Sequence, residues 1–344
     1  LRHPGPGPGP QAEGLPSPAR GSRGDSIPQH IRTFMSTAPA AANAANIRAI
    51  RARRFRNTVY GWIFAAPFTL FFAVTFVVPI IVSIYQAFFT TKSVGGGLYG
   101  GGERVTSFSG LDNFEAVVTN GDFWVGMGRV LLFAAFQIPV MIISALVLAL
   151  VLDSYLIRRV TVFRLGYFLP YAIPGVVAAM VWLYIYSPHL GPLTDLTGIN
   201  FFGKNIILAS MANMTTWTFT GYNMLVFLAA LQAIPTDLYE AARLDGASGF
   251  QIATRIKIPM LSGAALLTVL LSIIGTIQLF NEPTIMASSQ AWMGKNYTPM
   301  MMAYNTMMTS PGDPHMASAI SIVMALIAGG LAAVYAFVQT RVDK

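Results

Sequence analysis

Six apolar runs free of Asp, Glu, Lys and Arg divide the chain, at roughly 60–86, 130–152, 165–186, 206–232, 260–281 and 316–339. Each reaches about 20 residues, which at 1.5 Å rise per residue spans the roughly 30 Å hydrocarbon core of a bilayer. None shows the strict apolar–polar alternation of a half-buried strand. Lipid also requires backbone groups to be satisfied within a segment or in a closed barrel, so helices are the predicted elements. Pro67, Pro79, Pro139, Pro170 and Pro174 fall inside or at the ends of these runs. Such breaks are tolerated where neighbouring helices or a cavity satisfy the freed carbonyls. The pattern predicts an all-α membrane protein with six transmembrane helices.

Outside the runs the pattern changes character. Residues 1–46 are rich in Pro, Gly, Ala and Ser and open with PGPGPGP, without apolar periodicity. This stretch is expected to be a disordered tail, and residues 47–344 the transmembrane domain. The first methionine is Met35, and residues 1–34 read as an upstream extension. The first run is too long for a secretory signal core and is followed by no small-x-small site, so it reads as a retained anchor.

Composition agrees with the pattern. Hydrophobic residues make up 54% and charged residues 10%, too few charges to build a water-facing surface. There is no cysteine, which removes disulfide, thiol and thiolate-metal chemistry. The net charge of +8 is a matter of placement. Arg48, Arg51, Arg53, Arg54, Arg56, Arg158, Arg159, Arg164, Arg243, Arg255, Lys257, Arg341 and Lys344 share one side. Lys92, Arg104, Lys204 and Lys295 lie opposite, with Arg129 at a boundary. The excess puts both termini in the cytoplasm. No basic helix or aromatic–basic platform suggests nucleic acid.

Catalytic sets are absent from the pattern. His3 and His30 fall in the tail, and His189 and His315 read as surface histidines of separate external loops. The glycines of SVGGGLYGGG read as a flexible linker, since no Gly-Lys-Ser/Thr follows them. The loop 233–259, AIPTDLYEAARLDGASGFQIATRIKIP, is richer. Asp237 with Glu240 predicts one capped helix, Gly246 suits a left-handed C-terminus, and Ser248 with Gln251 predicts a second cap. An amphipathic pair lying on the membrane would explain the caps but not the whole string.

That string, EAARLDGASGFQIATRIKIP, resembles the Glu-Ala-Ala signature of importer-type ATP-binding-cassette permeases. Glu240, Ala241, Ala242 and Gly246 match it, Asp245 lies within it, and Ile256, Ile258 and Pro259 match its end with one conservative change. SGLDNFEAVVTNGDFW, FRLGYFLPYAIPGVVAAMVWLYIYSP and LFNEPTIM also look like carbohydrate-uptake permeases of the maltose and glycerol-3-phosphate type. The tail and the methionine-rich TPMMMAYNTMMTS depart from that likeness. The resemblance implies a type I importer (MetI-like) fold in the cell membrane. It also implies a second permease subunit, two cytoplasmic ATPase subunits that dock on the loop, and an extracellular or periplasmic solute-binding protein. The implied solute is a sugar, with a polyol or glycerol-3-phosphate as alternative. No cofactor is expected on this chain, ATP and Mg belonging to the ATPase. A carrier acting alone would need a titratable relay, which the six runs lack.

Polar residues within the runs cost free energy and face a cavity or a partner helix. Run four carries Asn213, Thr215, Thr216, Trp217, Thr218, Thr220, Tyr222 and Asn223. At the end of run five Gln278 and Asn281, with Glu282 just beyond it, are predicted on one helical face. Counted back from Glu240, Trp217 and Tyr222 fall where the maltose-type permease lines its sugar site, with Gln278 and Asn281 at matching polar positions. Trp217, Tyr222, Asn223, Gln278 and Asn281 are therefore the expected solute pathway. The alternative that they bond helix to helix stays open. The threonines are expected to bond their own backbone.

Overall fold

The computed structural model describes residues 29–94, 103–154, 159–188 and 190–342. Residues 1–28, the glycines at 95–97 and 100–102, Arg158, His189 and Lys344 lie outside that set. The chain divides into two units after Thr75. The first contains helix α1 (Gln29–Phe72). Residues 29–46, expected to belong to an unstructured tail, are thus helical. Ala38, Ala40, Ala41, Ala42, Ala44 and Ala45 favour this by their high helix propensity, although Pro39 among them opposes it.

α1 leads through a π turn (Ala73–Val77) into α2 (Val78–Ala87). A second π turn, Ala253–Lys257, stands at the same offset from a proline: Val77 precedes Pro79 as Lys257 precedes Pro259. Proline has no N–H and its ring crowds the preceding turn, so the helix widens there instead of ending.

In the second unit, strand β1 (Phe89–Val94) pairs antiparallel with β2 (Glu103–Phe108), Phe89 opposite Phe108. The stretch flanking the glycine run is therefore a hairpin. The short α3 (Asp112–Val118) anchors it, since the Asn113 side-chain amide donates to the carbonyls of Ala87 and Phe89 at 2.9 and 2.7 Å. Span two, α4 (Gly121–Leu152), begins where Asn120 Oδ1 accepts the Asp122 and Phe123 N–H groups.

The third run is not one straight helix. It forms α5 (Val160–Phe168), a 3-10 turn (Leu169–Ala172) and α6 (Gly175–Tyr186), with a 97° bend. Pro170 and Pro174 cannot donate to the preceding turn, and Ile173, the residue before Pro174, is extended at φ −81° and ψ 131° although Leu169 before Pro170 stays helical. Then come α7 (Pro192–Thr197) and α8 (Ile207–Gln232), the fourth span. The loop beyond it holds α9 (Asp237–Leu244), α10 (Gly249–Ile252), the second π turn and α11 (Ile258–Met260). Run five also breaks, into α12 (Ser262–Ile277) and α13 (Asn281–Ser289). α14 (Pro299–Met308) and α15 (Pro314–Val342) complete the chain. By length and composition four helices can cross a membrane, and six segments can if each bent pair is one span.

α8 packs along α4, α12 against α4 and α15, and α15 against α2 and α14. One apolar cluster joins Ala145, Ala149 and Leu152 of α4 to Met224, Phe227 and Leu231 of α8. Another surrounds Val130, Phe133, Tyr186 and Met211, and takes in Met301 of the methionine-rich segment. Unbranched thioether side chains fill such irregular gaps. His315 is 9% exposed, not a surface residue. Its ring nitrogens lie 2.9 Å from the Gln86 carbonyl and 3.1 Å from Thr91 Oγ1.

Candidate functional site

A close approach of backbones fixes the wall of the site. A Cβ on Gly221 would lie 1.7 Å from the Tyr167 carbonyl oxygen, so only glycine lets α5 press onto α8 here. The turn after α5 then places Tyr171 over Tyr222, with ring centroids 4.7 Å apart and planes 20° from parallel. Phe219 meets Tyr171 edge-on at 5.8 Å.

This wall encloses a cavity of about 700 Å³ within the second unit. α4 contributes Phe133, Gln137 and Met141, and the break of span three contributes Tyr171 to Gly175. α8 supplies Thr215, Thr218, Phe219, Tyr222 and Asn223, and span five supplies Ser272, Thr276 and its break, Gln278 to Glu282. Tyr222, Asn223, Gln278 and Asn281 therefore line one cavity.

Trp217 does not join them. Its ring packs edge-on against Trp182 at 5.7 Å, and it is absent from the cavity lining. The 140° or so that separates it from Tyr222 around a regular helix keeps them on different faces. Gln278, Asn281 and Glu282 do not share one helical face either. Gln278 caps the end of α12, whereas Asn281 and Glu282 open α13. The break carries them to the cavity. It is held from above, where the Thr298 hydroxyl donates to the Leu279 carbonyl at 3.1 Å. The Arg129 guanidinium stands 4.4 Å from the Tyr297 ring and donates to its carbonyl at 3.1 Å.

Thr215 and Thr218 bond the carbonyls of Met211 and Met214, both at 3.0 Å, so these hydroxyls are occupied by their own helix although they line the cavity. Asn223 donates to the Phe219 carbonyl at 3.0 Å and approaches Met141 Sδ at 3.4 Å. Sequence reasoning missed Gln137. Its Nε2 lies 3.3 Å from Met141 Sδ, and its buried Oε1 has no partner among the described residues. A glutamine in a run whose one other polar side chain is Ser144 was the available signal. Glu282 was also missed as a cavity group, because the helical segment continues to Ser289, beyond the apolar run. Among the described residues no Lys, Arg or His lines the cavity.

The loop between spans four and five forms a second, exposed region. α9 ends in a Schellman motif: Ala247 N–H donates to the Ala242 carbonyl at 2.9 Å and Gly246 N–H to the Arg243 carbonyl at 3.0 Å. Gly246 takes φ +81°, which side chains rarely tolerate. Ser248 and Gln251 form the expected capping box, at 3.3 and 2.8 Å. Thr236, not Asp237, occupies the N-cap position of α9, and no side-chain cap forms there. Glu240, Ala241, Asp245, Gly246 and Pro259 are exposed and Ala242 is half-buried. Beside them Leu244 and Phe250 stand 89% and 79% exposed. The sequence did not single out these two apolar side chains.

Residues 142–344 match the family of the binding-protein-dependent transport system inner membrane component. This chain belongs to that family. Among relatives, a lactose transport system permease protein of Rhizobium radiobacter is 32% identical over 65% of this chain and 74% of its own. A probable starch degradation products transport system permease protein of Thermoanaerobacterium thermosulfurigenes is 24% identical over 85% of this chain and 97% of its own. A chain of a bacterial alginate ABC transporter, solved in complex with an alginate pentasaccharide-bound periplasmic protein, shares the fold at TM-score 0.66. It is 18% identical, over 84% of this chain and 98% of its own. The family's inner-membrane role agrees with the apolar helices, and the binding-protein-dependent importer permease fold agrees with the six segments.

Proposed function

We propose that this family member moves an uncharged carbohydrate across the cell membrane by alternating access, through the cavity bounded by Tyr171, Tyr222, Gln137, Asn223, Gln278 and Asn281. The single observation that supports this most is the composition of that lining. Aromatic faces present apolar surface to the C–H face of a sugar ring, and amides both donate and accept hydrogen bonds from hydroxyls. The lactose and starch-product relatives support the same class of solute. A phosphorylated solute fits less well, since the lining carries a carboxylate at Glu282 and, among the described residues, no cationic side chain.

In this reading both termini are cytoplasmic. A second permease subunit completes the pathway, and a binding protein outside delivers the solute. Two ATPase subunits hold ATP and Mg, none of it on this chain. Loop 233–259 docks in an ATPase cleft, with Glu240 exposed for a basic partner and Leu244 and Phe250 available for burial. ATP-driven uptake of labelled neutral disaccharides and oligosaccharides, against glycerol-3-phosphate, tests the reading in vesicles holding the whole complex. Saccharide uptake that glycerol-3-phosphate does not inhibit is expected. Uptake of glycerol-3-phosphate without any saccharide would overturn it.

A further inference from the structure

Asp153 stands at the C-cap of α4, where the partial negative charge of the helix end disfavours a carboxylate. What holds it there is Lys257, at the end of the second π turn, with Nζ 2.5 Å from Asp153 Oδ2. The side chains are 16% and 18% exposed, so solvent and salt screen the pair less than a surface pair. The same ammonium lies 4.9 Å from the ring centroid of Tyr239. Tyr239 belongs to α9 and packs on the cluster that joins α4 to α8. One cation therefore touches the end of span two, the helix carrying Glu240, and the segment that enters span five.

We propose that Asp153, Lys257 and Tyr239 form a latch that transmits movement of loop 233–259 into span two. The mechanical path is short. From Asp153 the helix α4 runs about 24 Å to Gln137 at 1.5 Å per residue, and Gln137 and Met141 line the cavity. A displaced α9 draws on Lys257 through the Tyr239 ring. Lys257 in turn draws on α4 through an ion pair that is costly to break once one charge is left alone in a half-buried site. The three are positioning residues; none touches solute.

The inference rests on the reading of loop 233–259 as the ATPase contact, which Glu240→Lys tests separately. The experiment for the latch measures solute moved per ATP hydrolysed by the reconstituted complex. Asp153→Asn and Lys257→Gln should each lower this ratio about tenfold. Lys257→Arg should keep it, and the exchange Asp153→Lys with Lys257→Asp should recover at least a third of it. If the single variants do not assemble, the assembled exchange variant decides: a ratio near wild type supports the latch and a lost ratio overturns it. Wild-type ratios in both single variants overturn it also. If Glu240→Lys alone is coupled normally, the loop reading fails; if it is uncoupled while both latch variants are normal, only the latch fails.

Discussion

The cavity and the loop between spans four and five are built by opposite means. The loop is one contiguous string whose shape follows from local bonds: a Schellman turn at Gly246 and a capping box at Ser248, on a surface that exposes Leu244 and Phe250. The cavity draws on four spans, one sharply bent and one interrupted at residues 278–280, and no stretch of sequence contains it. An exposed loop can thus be specified locally, whereas a cavity among helices depends on where helices break. The difference also predicts that damage to the two regions will look different.

The largest effect is expected at Gly221. Gly221→Val places a side chain against the Tyr167 carbonyl and forces α5 off α8. Overpacking costs about 1–3 kcal/mol and more where backbone must move, so the yield of assembled permease should fall at least tenfold. Quantifying copurified partner checks this, and full yield would show that the two helices separate without penalty. Gly246→Pro comes next. Proline is held near φ −65° and cannot take the +81° observed, so the turn after α9 is lost. Transport should fall severely while membrane insertion is kept, as immunoblots of membranes beside uptake assays would reveal.

How much of this was legible follows the same division. The six segments followed from apolar runs and bilayer thickness, and the loop's second cap from Ser248 and Gln251. Gly246 was readable because a left-handed helix end needs glycine. The cavity was readable only in part. Tyr222 and Asn223 stood out as polar groups in an apolar span, but Trp217 was placed with Tyr222 by counting back from Glu240 to the sugar site of the maltose-type permease, and about 140° of helix separates the two. Gln278 and Asn281 were placed by assuming an unbroken helix, and the break at Leu279 that brings them to the cavity depends on Thr298, 19 residues away. Helix breaks rely on such distant partners, so periodicity does not reveal them.

Two substitutions of smaller effect sharpen the comparison. Tyr222→Ala removes a ring from the cavity wall and should weaken solute affinity by about 1–3 kcal/mol, roughly 5- to 150-fold. Trp217→Ala, on the other face of α8, should leave solute choice unchanged. Competition among several saccharides for uptake separates them, and equal shifts in selectivity would place Trp217 on the pathway. The smallest effect is expected for Ser248→Ala, where losing the cap costs about 1 kcal/mol. Hydrogen exchange should quicken over residues 248–252 without a change in the cavity-lining part of α8.

The most direct test sets one residue of each region against the other in the same reconstituted complex, with uptake and ATP hydrolysis measured across solute concentrations. Tyr222→Ala should raise the concentration needed for half-maximal uptake while the solute moved per ATP at saturation stays near wild type. Glu240→Lys should lower that ratio and leave the half-maximal concentration in place. The same defect in both variants, in either quantity, would contradict a pathway and a coupling surface that act as separate parts of one permease.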